Sequence, residues 1–211
     1  MQGEKNYNEA IKYYKQALTI FHQQNDQVNI GITTLNLANN YAAMGNHKVS
    51  FELLQDALNA FSKSNFTRGI QIFYNNLGAL QMRQLKYNEA LPYLHKSLEI
   101  IKNSSNKAGL ALVEQNIGFC HTKMGNLTEA EEWFEKAETS AKKYKSEISV
   151  YLEIDKHRAT LDSAKGDYYH ALIRKSLHNK IKDSLLNEKL NKQVIELQTK
   201  YETDNQPKRC R

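Results

Sequence analysis

Apolar positions along this chain recur three and four residues apart with few interruptions, which predicts helix from one end to the other. Within 7–24, Ala10, Tyr14, Ala17 and Phe21 share one helix face. Within 77–98 the pattern predicts a helix, a tight turn after 83–86, and a second helix. The same order of residue types then returns on both sides. Upstream it is Leu37, Ala38, Tyr41, Gly45, Ser50, Leu54 and Ala57; downstream it is Ile117, Gly118, His121, Gly125, Ala130, Phe134 and Ala137. The offset is 40 residues each time, as in 37→77→117 and 50→90→130. Self-similarity at such a period means helix pairs that cannot bury their apolar faces alone and must stack on their neighbours.

The units follow from that period. Residues 1–25 match only a second helix, so the chain opens in mid-repeat, and we expect an array cut from a longer protein rather than the alternative of an unusual first unit. Complete units are predicted at about 29–64, 67–104 and 107–144, with a degenerate one at 147–178 recognisable from Gly166, Asp167, Tyr168 and Ala171. Gly45 with Asn46, and Gly125 with Asn126, mark turns inside units; polar joints at 25–26, 62–65 and 103–106 separate units and offer helix N-caps. A longer amphipathic, coiled-coil-like helix is predicted over 179–204, with Leu186, Leu190, Val194, Leu197 and Tyr201 on one stripe. Residues 205–211, which include Pro207, are predicted to fray.

Charge is uneven. Residues 171–211 hold ten Lys/Arg against five Asp/Glu, whereas 1–170 hold nineteen against eighteen. The array is therefore nearly neutral, which argues against a nucleic-acid groove along it. Two cysteines, Cys120 and Cys210, cannot make a disulfide framework and leave the compartment open. No apolar run reaches the length of a membrane span, and the N-terminus carries no signal-peptide core.

The recurring residues resemble the tetratricopeptide repeat over about 1–178. Tyr74, Leu77, Gly78, Tyr87, Ala90, Leu94 and Ser97 meet its pattern in one unit; Ile117, Gly118, Gly125, Ala130, Phe134 and Ala137 meet it in the next. Leu85 stands where the pattern has a turn Gly, Ser50 where it has Ala, and no unit ends in Pro. The period exceeds the common ~34 residues, which lengthens the paired helices by under a turn each. The resemblance implies an all-α, right-handed superhelical solenoid of antiparallel helix pairs that works as a protein- or peptide-binding module. A second resemblance lies in Lys182, Asp183, Ser184, Leu185, Asn187 and Glu188, and in 196–203. It is similar to the junction that follows the N-terminal repeats of bacterial two-component histidine kinases and helix-turn-helix regulators. That implies the sensory or interaction region of a signal-transduction protein.

No catalytic constellation is legible. The seven histidines form no paired metal spacing, and there is no Gly-rich phosphate loop or nucleophile elbow, so neither enzyme chemistry nor a cofactor is expected. His121 stands in a packing position, Trp133 reads as packing between repeats, and 155–158 reads as a solvated mixed-charge face. The sharper signal is a ladder of amides. Asn36, Asn76 and Asn116 hold the same place in three successive first helices, which line the concave surface of such a stack. A carboxamide both donates and accepts, so a row of them can hold an extended peptide backbone; the bland alternative is an Asn bonded to a neighbouring helix. The family resemblance implies the peptide role. Asn39, Gln115, Arg83 and Lys123 are expected on the same face, the two cations meeting an acidic group, with Met82 and Phe119 as apolar pockets or core. An alternative is oligomerisation: a homodimer through Leu186, Leu190, Val194, Leu197 and Tyr201, with the tail helix docking back on the last unit or pairing with another chain. A further one is the regulatory half of a histidine kinase.

Overall fold

A computed structural model describes the backbone of residues 2–204, and within it the side chains from 7 onward except 189, 194 and 197–204. The predicted fraying of 205–211 lies outside the described residues. Among those described, every element is helical: α1 (Gln2–Gln23), α2 (Gln27–Ala43), α3 (His47–Lys63), α4 (Thr67–Arg83), α5 (Tyr87–Asn103), α6 (Leu110–Met124), α7 (Leu127–Lys143), α8 (Ile148–Ala164) and α9 (Tyr168–Asp204).

Helices α2–α3, α4–α5, α6–α7 and α8–α9 form hairpins, and each first helix also meets the previous pair. The first helices touch in series, α2 on α4, α4 on α6 and α6 on α8, whereas α3, α5 and α7 do not touch one another. Closer spacing on one side than the other bends the stack, so the first helices form the inner, concave wall. The fold is the all-helical, superhelical repeat expected from the sequence.

Small and large residues alternate across each seam. Leu54, Leu94 and Phe134 are the second-helix knobs, each no more than 1% exposed. They are received where Ala38, Gly78 and Gly118 leave room; a Cβ on Gly78 would stand 2.7 Å from Leu94 Cδ2. Deleting such a buried knob to Ala costs ~2–5 kcal/mol. Phe61 fills a similar gap between α2 and α4, and a Cβ on either Gly31 or Gly69 would come within 2.4 Å of its ring. Ser97, where Ala57 and Ala137 stand, is fully buried, takes an N–H from Gln71 at 2.7 Å and donates back to the Gln71 carbonyl at 3.0 Å. A hydroxyl is tolerated there because both ends of its hydrogen bonding are met.

The turns repeat as closely as the helices. Gly45, Gly125 and Gly166 have φ near +80°, and Leu85, the residue in the Gly place, is forced to φ +61° while 72% exposed. Of the joints expected to cap helices, Asp26 does so, accepting from the Asn29 N–H at 3.1 Å; α3 through α8 have no side-chain N-cap bond. Asp167 accepts from the His170 N–H in the same way, at 3.1 Å.

Two expectations change. The second helix of the fifth unit and the tail helix are one element, because nothing between Tyr168 and Asp204 breaks the helix; α9 runs 37 residues against 17 in α3, α5 and α7. Among the described residues α9 touches α8 alone, its partner in the last unit, and reaches no earlier helix. The segment 155–158 is not a solvated face either. Arg158 takes the register of Leu77 and Ile117, its side chain is 11% exposed, and it bonds Glu138 at 2.9 Å and Glu131 at 3.5 Å across the α7–α8 seam. Asp155 meets Arg174 of α9 at 3.2 Å, and Asp162 meets the same guanidinium at 2.9 Å. These charges pin α8 on both sides.

Candidate functional site: the concave face

Stepping three and four residues along each first helix gives its open stripe: Ile32, Asn36 and Asn39 on α2; Ile72, Asn76 and Arg83 on α4; Leu112, Phe119 and Lys123 on α6. These side chains are half-buried or exposed, on the wall that neighbouring second helices leave uncovered. Between α4 and α6 the wall opens into a cleft of about 240 Å³ lined by Arg68, Ile72, Asn75, Asn76 and Leu112.

Asn36, Asn76 and Asn116 hold one register on adjacent inner helices, and each bonds another asparagine nearby rather than the next rung. Asn76 donates its side-chain N–H to Asn39 Oδ1 at 3.2 Å, tying α4 to α2. Asn116 donates to Asn75 Oδ1 at 3.1 Å, tying α6 to α4. Asn40 donates to the Asn36 carbonyl at 2.9 Å. Asn36 and Asn76 remain half-buried, whereas Asn116 is only 7% exposed. Gln115 must be moved off this face: it is 1% exposed, packed between helices, and its Oε1 has no partner. Its position one residue before the ladder turns it by about 100° into the stack.

Arg83 and Lys123 hold equivalent exposed positions, and neither makes an ion pair among the described residues. Lys123 Nζ lies 5.4 Å above the Phe119 ring. Met82 and Phe119 are half-buried and pack against the core clusters, so each shows only part of its surface to the groove.

Two groove residues were missed in the sequence. Arg68 lies at the N-terminal end of α4, outside the repeated signature, and no spacing marks it. His157 was hidden by a register change: from the fourth unit to the fifth the offset is 41, as in Gly125→Gly166 and Ala130→Ala171, which sets His157 where Asn116 stands. Its ring packs on Phe119, centroids 4.3 Å apart at 30°, and its Nδ1 is buried without a partner. Burial, with Lys156 and Lys123 adding to it and Glu153 opposing, pushes the imidazole down to about 4. The groove thus changes character along its length, from amides and two arginines on α2 and α4 to the stacked Phe119 and His157 rings on α6 and α8, with Lys123 beside them.

The other sequence-marked residues sit in packing roles. Trp133 meets His95 edge-on at 5.9 Å, with Lys136 Nζ 4.4 Å above its ring. His121 is half-buried near Asn126. Leu186 and Leu190 of the tail stripe are 54% and 49% exposed; the side chains of Val194, Leu197 and Tyr201 lie outside the described residues. No helix among the described residues is long and apolar enough to cross a membrane, and they contain no cluster with the makings of a metal site.

The family model for the tetratricopeptide repeat matches residues 1–63 and 70–143. No curated protein matches the chain. Among solved structures it is similar to BtubC (BKLC) from P. vanneervenii, at 19% identity and TM-score 0.64, over 87% of this chain and 76% of that one. It is similar to a Rap protein solved with competence and sporulation factor, at 18% identity and TM-score 0.73, over 84% of this chain and 49% of that one. Aspartyl phosphate phosphatase F from Bacillus subtilis follows at 16% identity and TM-score 0.71, over 96% of this chain and 53% of that one. The chain therefore spans about half the length of the last two, and at such identities the likeness is one of fold. With the family model covering most of the sequence and the stacked hairpins matching it, the chain belongs to the tetratricopeptide repeat family.

Proposed function

We propose that this chain is a non-catalytic binding module that holds an extended peptide, or the tail of a partner protein, along its concave wall. The observation that carries the reading is the row of side-chain amides at one register on adjacent inner helices, Asn36 and Asn76 foremost. Asn76 gives one side-chain N–H to Asn39 and has its other N–H and its oxygen left for a ligand. The bond that Asn40 makes to Asn36 uses only the Asn36 backbone carbonyl, so the Asn36 carboxamide is not engaged by it. A peptide backbone offers one N–H and one C=O per residue, so such a row holds it without reading its sequence. Arg68, Arg83 and Lys123 favour an acidic side chain or a terminal carboxylate on the bound segment. Asn116 supports the row from behind through Asn75.

The setting we infer is bacterial signal transduction, this part sensing or recruiting for an output part elsewhere, as in the regulatory half of a histidine kinase. The resemblance of 182–203 to the junction after sensor repeats supports it, as does the fold shared with a Rap protein solved with its factor. The test is a peptide-library binding assay on the wild type and on Asn36→Ala with Asn76→Ala. The double variant is expected to lose at least about tenfold in affinity for the selected peptides, some 1.4 kcal/mol. Unchanged affinity would sink the groove assignment.

A second reading is a homodimer through the tail helix. It is favoured by the length of α9 beyond α8 and by the exposure of Leu186 and Leu190. Sedimentation of the wild type beside Leu186→Asp with Leu190→Asp tests it: a dimer in both rules that stripe out.

A further inference from the structure

Every seam in the array is closed by the next first helix. Helix α4 lies on the α2–α3 pair, α6 on α4–α5, and α8 on α6–α7. The α8–α9 pair has the same face, and no described element covers it. A cavity of about 600 Å³ lies there, between Ala159, Thr160 and Ser163 of α8 and Tyr168, Leu172 and Lys175 of α9. Tyr168 and Leu172 are 72% and 68% exposed.

The slot has the shape of its predecessors but altered chemistry. At the 41-residue offset, Lys175 takes the place of the knob Phe134, and so of Leu94 and Leu54 before it. A helix seated here meets a cation where α4, α6 and α8 meet a large apolar side chain. Lys175 makes no ion pair among the described residues, while neighbouring Lys156 is held by Glu153 at 2.9 Å and Arg174 by Asp155 and Asp162. The preceding seam shows that a charge at this depth is workable when matched: Arg158 of the incoming α8 finds Glu131 and Glu138 on α7.

We propose that the open α8–α9 face is a docking slot for an acidic amphipathic helix of another protein. Its apolar edge packs on Tyr168 and Leu172, and an Asp or Glu one turn along reaches Lys175. The chain does not fill the slot at the point where earlier units turn, because α9 continues straight for 37 residues where α7 stops after 17. A second copy fits poorly on charge. Helices α1 and α9, which leave apolar side chains such as Tyr13, Ile20 and Leu190 exposed, both carry more Lys and Arg than Asp and Glu.

The test uses the full chain and two fluorescein-labelled peptides of about 17 residues, the usual length of a first helix here. Both carry Leu at the spacing of Val113, Ile117 and Cys120; one has Glu at the flanking positions and the other has Lys. Fluorescence anisotropy is expected to show the acidic peptide bound about tenfold or more tighter, less so near 0.5 M salt. Lys175→Glu is expected to reverse that preference and Leu172→Glu to weaken both peptides, while Lys48→Glu, on the exposed side of α3, leaves binding unchanged. Equal binding of the two peptides, no binding of either, or an effect of Lys48→Glu as large as that of Lys175→Glu would overturn the proposal. So would a dimer of the full chain that the acidic peptide dissociates, since that puts a second copy in the slot.

Discussion

Asn116 donates its side-chain N–H to Asn75 Oδ1, 3.1 Å away on the preceding inner helix, and both residues are more than nine-tenths buried. The Asn at the same register one unit earlier, Asn76, bonds a different position, Asn39, and does so at the surface. One register of the repeat therefore serves two purposes, a tie between helices and an amide for the groove, in proportions set by burial.

That difference predicts opposite outcomes for one substitution. Asn116→Ala leaves the buried Asn75 oxygen without a donor and should cost about 1–3 kcal/mol of stability. Asn76→Ala breaks an exposed bond and should cost under about 0.5 kcal/mol, while weakening ligand binding. Urea denaturation of the two variants separates them.

Close packing around Phe61 gives a second expectation. Its ring occupies the space that side chains on Gly31 and Gly69 would need. Gly31→Ala and Gly69→Ala should each destabilise by about 1–3 kcal/mol, despite the better helix propensity of Ala. Adding Phe61→Leu to either should recover part of the loss, which a double-mutant cycle in urea would register as a coupling of opposite sign.

Leu85 predicts a gain. It holds a left-handed turn conformation that glycine fills at 45, 125 and 166, and its side chain is mostly in solvent. Leu85→Gly relieves a strain of about 1–2 kcal/mol and gives back part of that through the freer unfolded chain. Net stabilisation by roughly 0.5–1 kcal/mol, seen as a higher urea midpoint with unchanged slope, is expected.

His157 makes stability depend on pH. Its folded pKa is lowered to about 4 from the usual 6.5, so between those values the unfolded chain takes up a proton that the folded chain refuses. Its contribution is therefore intact above about pH 6.5 and lost progressively as pH falls toward 4, on the order of 2 kcal/mol. Glu114, raised by burial, acts in the opposite sense, so the comparison is with a variant at the same pH. His157→Asn, which restores the residue type of Asn116, should melt with a shallower loss from pH 7 to 5. Identical pH profiles would show that the imidazole is not protected by the fold.

Much of this architecture could be read from the chain because a repeat states each packing requirement several times. Small residues at 38, 78 and 118 and knobs at 54, 94 and 134 recur because one interface geometry recurs. What could not be read depends on single copies. Arg158 looks like any helix-surface charge until the one-residue change of register places it against Glu131 and Glu138. The same change concealed His157 and Lys175. For the groove, spacing identified the residues that share a face but not how deep each lies. Gln115 was misplaced because a rotation of one residue separates the open wall from the seam.

The claim that the concave amides hold the ligand is tested most directly by nuclear magnetic resonance of the Asn side-chain N–H groups, with a library-selected peptide titrated into the full chain. Asn36, Asn39 and Asn76 are expected to shift together and to exchange more slowly with water when the peptide is bound. Saturating binding that leaves those resonances in place, with shifts confined to α3, α5, α7 or α9, would contradict it.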